Sequence, residues 1–214
     1  MRKRLGLRNW NRMKHSIQDI ATSIQVGYQP REAVTPDPAG SHVLIQMRNL
    51  LPDGTLDVPG LTRFNPERDP EPYRVCEGDV LLQVRGTSHL AGVVSGLSDT
   101  SLASNHFYIL RVDATRVLPD YLVWYIRQPR AQQHLHKGAQ GTSNVTVLTR
   151  SVFESLEVPL PSLEVQHQIV ALDRLQWRER LLTEKLNEKR AQWLSRVSLK
   201  LADGNLYEKK DAVS

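Results

Sequence analysis

The chain has 214 residues, enough for one large domain or for a medium domain with an extension. Its single cysteine, Cys76, excludes an internal disulfide and fits a reducing cytoplasm, and no stretch approaches the roughly 20 apolar residues of a membrane span. A net charge of +5 permits an anionic partner without demanding one.

Residues 1–15 read as a flexible basic arm (Arg2, Lys3, Arg4, Arg8, Arg12, Lys14) with no apolar run behind it, unlike a signal peptide. Ser16 to Ile24 carries Ile17, Ile20, Ala21 and Ile24 at helical spacing, and the polar loop from Gly27 to Arg31 breaks it. His42 to Leu50 alternates around Val43, Ile45 and Met47 as a strand does. Leu56 to Pro72, rich in Pro and Asp, reads as an irregular excursion. The turn Glu77-Gly78-Asp79 feeds an apolar strand, Val80 to Val84. It ends at Arg85-Gly86-Thr87-Ser88-His89, and Ala91 to Val94 returns as the second arm of a hairpin. Phe107 to Val112 is a further strand. Pro119 opens a helix through Ile126, Pro129 restarts it, and Gly138 ends the second piece. The polar loop Gln140-Gly141-Thr142-Ser143-Asn144 follows, and Leu156-Glu157-Val158 is strand-like. Strands and helices mix without regular alternation, so the body over residues 16–160 is α+β with a mixed sheet.

Residues 161–202 form a different object. Pro159 and Pro161 hold the backbone extended, Ser162 stands at an N-cap, and Glu164 suits the first turn. Neither Gly nor Pro occurs from Leu163 to Leu201, and Asp203-Gly204 supplies the stop. Such a helix runs on the order of 60 Å, too long to be one wall of a small core. Ile169, Leu172, Leu175, Leu182, Leu186, Trp193 and Val197 trace one stripe along it. We read this helix as half of an intermolecular coiled coil whose partner helix comes from another chain, the competing reading being a surface helix packed on its own domain, and residues 203–214 as a disordered tail.

No catalytic constellation emerges. The chain lacks a GxGxxG or Walker A loop, a base-methylation tetrad and a nucleophile elbow, and His134 and His136 point to different helix faces, so no metal is expected. The binding chemistry lies in polar loops after strands. Arg85, Thr87, Ser88 and His89 put a guanidinium, two hydroxyls and an imidazole at one hairpin tip, suited to guanine edges or phosphate. Gln140, Thr142, Ser143 and Asn144, with Lys137 nearby, have the groups that read adenine edges and phosphates. The competing readings are a solvated hairpin and a turn satisfying its own backbone. Arg48 either reaches a phosphate or solvates a strand end. Asn105 and His106 either face a ligand or cap neighbouring loops. From Arg111 to Arg150 the cations Arg111, Arg116, Arg127, Arg130, Lys137 and Arg150 outnumber Asp113 and Asp120, suggesting a basic flank.

The order GDVLLQVRG from Gly78, SNHFYILRV from Ser104, PDYLVWYI from Pro119 and AQGTSN from Ala139 resembles the target-recognition domain of type I restriction–modification specificity subunits. LEVPLPSLEVQHQIVALD from Leu156 resembles the junction where that domain enters the family's long helix. Val165 stands where the family usually has a second acidic residue, and one recognition domain with one helix replaces the usual two of each. The resemblance implies a non-catalytic, cytoplasmic DNA-reading subunit without a cofactor, with Tyr28, Gln29 and Arg31 near double-stranded DNA. It also implies antiparallel pairing of two half-size chains, docking of methyltransferase subunits on the paired helices, and a restriction/translocase subunit joining through them. Three alternatives stay open: pairing with a different half subunit, a DNA-binding module of another defence system, and a truncated chain acting only through helix association.

Overall fold

The computed structural model of the protein describes residues 14–86, 89–138 and 146–203, which form two compact units, one reaching Val170 and one beginning at Ala171. The first unit is built on a four-stranded antiparallel sheet in the order β2 (Ala21–Val26), β9 (Phe107–Val112), β5 (Val80–Gln83), β7 (Ala91–Val93). Side chains alternate across a strand, so β5 and β9 feed two cores at once. Val80, Leu82, Tyr108 and Leu110 face the main core, while Leu81, Phe107 and Ile109 face a second one. That double burial explains why Val80-Leu81-Leu82 reads as an unbroken apolar run.

The main core is closed by α2 (Pro119–Ile126), α3 (Pro129–Gly138) and α4 (Arg150–Glu154), which contribute Tyr121, Leu122, Ile126, Leu135 and Phe153. Pro119 and Pro129 stand at helix starts, where the missing N–H is harmless. On the other face lies a three-stranded sheet, β4 (Thr62–Phe64), β3 (His42–Ile45), β8 (Ser101–Ala103), with β3 and β8 parallel.

Three expectations are corrected. The apolar spacing after Ser16 makes only a single helical turn, α1 (Ile17–Ile20), which Ser16 and Asp19 cap reciprocally. From Ala21 the chain becomes strand β2, because pairing along β9 from Val112 to Tyr108 outweighs a marginal helix. The strand expected through Leu50 stops at Ile45 and tightens into a 3-10 turn over Met47–Asn49, where the buried Asn49 accepts from Gln46 N–H at 2.9 Å. The Pro- and Asp-rich excursion holds β4, invisible locally because its partner β3 lies far back in sequence. Ahead of these elements the chain already forms part of the sheet structure. Strand β1 (Lys14–Ser16) pairs antiparallel with β11 (Glu157–Pro159), and Lys14 bonds Glu157 at 2.9 Å.

Helix α5 spans Leu163–Ala202. Its first turns belong to the body. Gln166 is fully buried; its Oε1 accepts from Leu118 N–H at 2.9 Å, and its Nε2 donates to Arg116 O and Pro161 O, each at 2.9 Å. Val170 is buried in the main core and Ile169 packs against it. From Ala171 onward the helix forms the second unit.

Candidate nucleic-acid interface

Strand directions decide which loops gather. The end of β2 lies opposite the start of β9 (Val26 beside Tyr108), and so does the end of β5 (Gln83 beside Phe107). Parallel β3 and β8 finish together, with Ile45 beside Ala103. Segments 27–31, 46–49, 84–86, 89–90 and 104–106 therefore emerge at one end of the two sheets. Hydrogen bonds tie them together: Tyr28 N–H donates to Ala103 O at 2.7 Å, Asn105 N–H to Tyr28 O at 2.8 Å, Ser104 N–H to Ile45 O at 2.9 Å and Val84 N–H to His106 O at 2.8 Å. Gly27 is the tightest point. A Cβ there would stand 2.2 Å from the Ser104 carbonyl oxygen, so only glycine lets the strands close.

The strands that flank the two polar loops singled out in the sequence pair with each other. Strand β6 (Arg85–Gly86) pairs with β10 (Thr146–Val147), Gly86 opposite Thr146 and Arg85 opposite Val147. The chain leaves this ladder after Gly86, at a φ of 118°, and enters it before Thr146, at the same end. Thr87, Ser88, Gln140, Thr142, Ser143 and Asn144 lie outside the described residues. Their flanks, however, are fixed side by side. Leu148 N–H donates to Val84 O at 2.8 Å, and Gln83 Nε2 donates to Arg85 O at 2.7 Å, which stiffens the strand carrying Arg85.

At this end Gln29, Arg31, Arg48 and Arg85 are exposed, as is Lys137 in the last turn of α3. Arg48 is aimed by Thr62, whose Oγ1 accepts from its guanidinium at 2.8 Å. No local signal in the sequence marks Thr62 for that task. Asn105 and His106 are half-buried, His106 near Arg85. Burial, with Arg85 close by, pushes the His106 imidazole below its ordinary pKa, so it is a neutral donor and acceptor at pH 7.

Two candidates are corrected. Tyr28 is fully buried; its hydroxyl accepts from Glu67 N–H at 3.1 Å and its ring packs on Phe64 and Tyr73, so its side chain is a core piece. His89 is likewise fully buried, with Nδ1 donating to Gln83 O at 3.1 Å and its ring 5.2 Å from that of His136. Desolvation lowers its pKa, the Gln83 carbonyl partly opposes this, and His136 lowers it further. The basic flank from Arg111 to Arg150 is also mostly committed within the protein. Arg111 holds the buried carboxylate of Asp79 at 2.9 and 3.2 Å, and Arg116 and Arg127 donate to the carbonyls of Asp19 and Asp53. Arg150 pairs with Glu154 at 2.7 Å. Among the described residues no group of three or more His, Cys, Asp or Glu gathers to hold a metal ion, and no helix is long and apolar enough to cross a membrane.

In the second unit, Leu172, Leu175, Leu182, Leu186 and Trp193 are exposed and Val197 is half-exposed. Leu181, Leu194 and Leu199, outside the stripe picked from the sequence, are exposed too. Ile169 is the exception within that stripe, since it packs on its own body.

A mixed-sheet body, loops collected at one sheet end and a 40-residue C-terminal helix together give the fold of type I restriction–modification specificity subunits. Solved structures with this fold include the HsdS subunit from Thermoanaerobacter tengcongensis, at 18% identity and TM-score 0.64, covering 94% of this chain and 50% of that one. A chain from a structure of complex assembly and conformational transition of the type I R-M system matches at 19% identity and TM-score 0.61, covering 90% and 46%. The S subunit of the type I restriction–modification system from M. genitalium matches at 18% identity and TM-score 0.50, covering 88% and 45%. The chain thus spans about half the length of the structures it matches. No protein-family model and no curated protein matches the sequence.

Proposed function

We propose that this chain is a non-catalytic DNA-recognition subunit of a type I-like restriction–modification system, acting in the cytoplasm and reading one half-site per protomer. The observation that carries the reading is the convergence of separate polar segments, with exposed Arg31, Arg48, Arg85 and Lys137, at one end of the sheets in this fold. Arg48, Lys137 and backbone amides supply register through phosphates, which carry no sequence information. Arg85, with Gln29, Arg31, Asn105 and His106 around it and Thr87, Ser88, Gln140, Thr142, Ser143 and Asn144 on the adjoining loops, supplies base contacts. The exposed leucines along α5 favour two copies pairing through it as an antiparallel homodimer. Two-fold symmetry then requires an inverted repeat of the half-site across a gap of unspecified bases. The paired helices offer the docking surface for methyltransferase subunits, through which a restriction/translocase subunit joins.

The test is a titration of the purified protein against a randomised duplex pool and its selected sequence at rising salt. Affinity is expected to fall steeply with salt while the preference for the selected sequence persists. Arg85→Ala is expected to cost about 1–3 kcal/mol on the selected sequence and to relax the choice of one base pair. Equal binding to selected and random duplexes would remove the reading.

A further inference from the structure

The ladder of β6 and β10 is two residue pairs long, Arg85 opposite Val147 and Gly86 opposite Thr146, and strands that short hold no fixed place by their own bonds. Yet the chain passes through it into the segment of Thr87 and Ser88 and out of the segment from Gln140 to Asn144. What holds it comes from the two central strands of the large sheet. Gln83, at the end of β5, and Tyr108, in β9, are 7% and 8% exposed, and each puts a polar group into an apolar run. A buried donor is costly unless it is bonded. Gln83 Nε2 donates to Arg85 O at 2.7 Å, and the Tyr108 hydroxyl donates to Leu148 O at 3.1 Å, its ring braced flat against Phe153. One clamp therefore holds the strand carrying Arg85, and the other holds the chain just past β10. They start side by side, because Leu82 pairs with Tyr108 and Gln83 with Phe107. Gln83 also fastens the returning leg of the first segment. Its N–H donates to Leu90 O at 2.8 Å, its carbonyl accepts from His89 Nδ1 at 3.1 Å, and Gln132 of α3 donates to His89 O at 3.0 Å. The residues on both sides of Thr87 and Ser88 are thus pinned to one glutamine.

We infer that Gln83 and Tyr108 are positioning residues that set the choice of bases without touching DNA. A guanidinium that forks onto one base edge must be held to within about 0.5 Å, whereas a phosphate contact tolerates displacement. Releasing either clamp lets the short ladder shift. The loss then falls on discrimination between sequences and not on the charge-driven attraction to any duplex. A residue that only stabilises the fold behaves differently, since it lowers binding to every duplex alike by lowering the folded fraction. The inference rests on the reading of Arg85 and the adjoining segments as base contacts, and adds which buried side chains aim them.

Gln83→Met and Tyr108→Phe each remove one hydrogen-bonding group and keep the bulk of the side chain. The full-length variants are titrated against the selected duplex and the random pool, and a fresh selection is run with each, below the melting temperature found by calorimetry. Each is expected to lose about tenfold in the ratio of the two affinities, the whole loss falling on the selected duplex, with the salt dependence as in wild type. The fresh selection with Gln83→Met is expected to relax the same base pair as Arg85→Ala. Gln83→Met added to Arg85→Ala is expected to cost little more, because the group it aims is gone. A variant that keeps full selectivity, or that weakens on selected and random duplexes equally, overturns the role of its residue. Should Gln83→Met fail to fold, Tyr108→Phe decides by the same ratio. Wild-type selectivity in Arg85→Ala removes the base-reading surface itself and this inference with it. If Arg85→Ala relaxes one base pair while both clamp variants stay strict, that reading stands and only the clamps are overturned.

Discussion

His89 is a neutral imidazole, fully buried, with its ring close to that of His136. Its Nδ1–H is spent on the Gln83 carbonyl, and its buried Nε2 finds no hydrogen-bond partner among the described residues. Burial holds its pKa below the ordinary value of about 6.5, so the unfolded chain takes up a proton at a pH where the native state refuses it. The stability contributed by this group is complete above about pH 6.5 and is lost as pH falls through the lower native value. His106, depressed first by burial and then by Arg85, adds in the same direction. Thermal midpoints are therefore expected to fall from pH 7 to pH 5, and His89→Gln, which keeps a donor but does not titrate, is expected to flatten that slope. An unchanged slope would show that His89 is not the titrating group. Asp19, Asp113 and Glu157 act in a separate window. Each carboxyl is held below its usual value, Asp19 and Asp113 by neighbouring hydroxyls and Glu157 by Lys14, so their contribution is lost only at more acid pH. The misassignment of Tyr28 and His89 as contact residues has a common cause. Both sit in polar stretches, and only packing against distant residues (Phe64 and Tyr73 for one, His136 for the other) reveals that they face inward.

Among the elements, the start of α5 is held by one buried polar side chain as well as by the apolar contacts of Ile169 and Val170. Gln166 closes three hydrogen bonds, to Leu118 N–H and to the carbonyls of Arg116 and Pro161. Gln166→Ala leaves those groups unpaired in a buried place and is expected to cost about 2–4 kcal/mol in denaturant unfolding, whereas exposed Gln168→Ala is expected to change little. Equal losses at the two positions would remove this role. The hairpin of β5 and β7, strand β9 and helices α2 and α3 were legible because each has a local mark. Those marks are the turn at Glu77-Gly78-Asp79, the apolar run of Phe107 to Leu110, and a proline opening each helix. Strands β2 and β4 were not legible. Ile17, Ile20 and Ile24 satisfy a helical period by coincidence, and Thr62 to Phe64 has no pattern until β3 lies beside it.

For the whole molecule, the division at Val170 separates a unit with its own buried cores from one whose leucines are almost all exposed. Leu182→Asp with Leu186→Asp is accordingly expected to yield monomers whose body melts at the wild-type temperature, measured by sedimentation and calorimetry. Dimers surviving both changes would place the pairing surface elsewhere. The helix was legible at this scale because 40 residues without Gly or Pro exceed what a small body can cover. The gathering of the loops at one sheet end was not, since it depends on strand order and direction, which no single segment encodes. One feature of that order, the pairing of Lys14–Ser16 with Glu157–Pro159, brings the seams of the body side by side. Because the first and last strands of the body share one ladder, fraying at either one strips the other of its partner, so the two ends of the body open together.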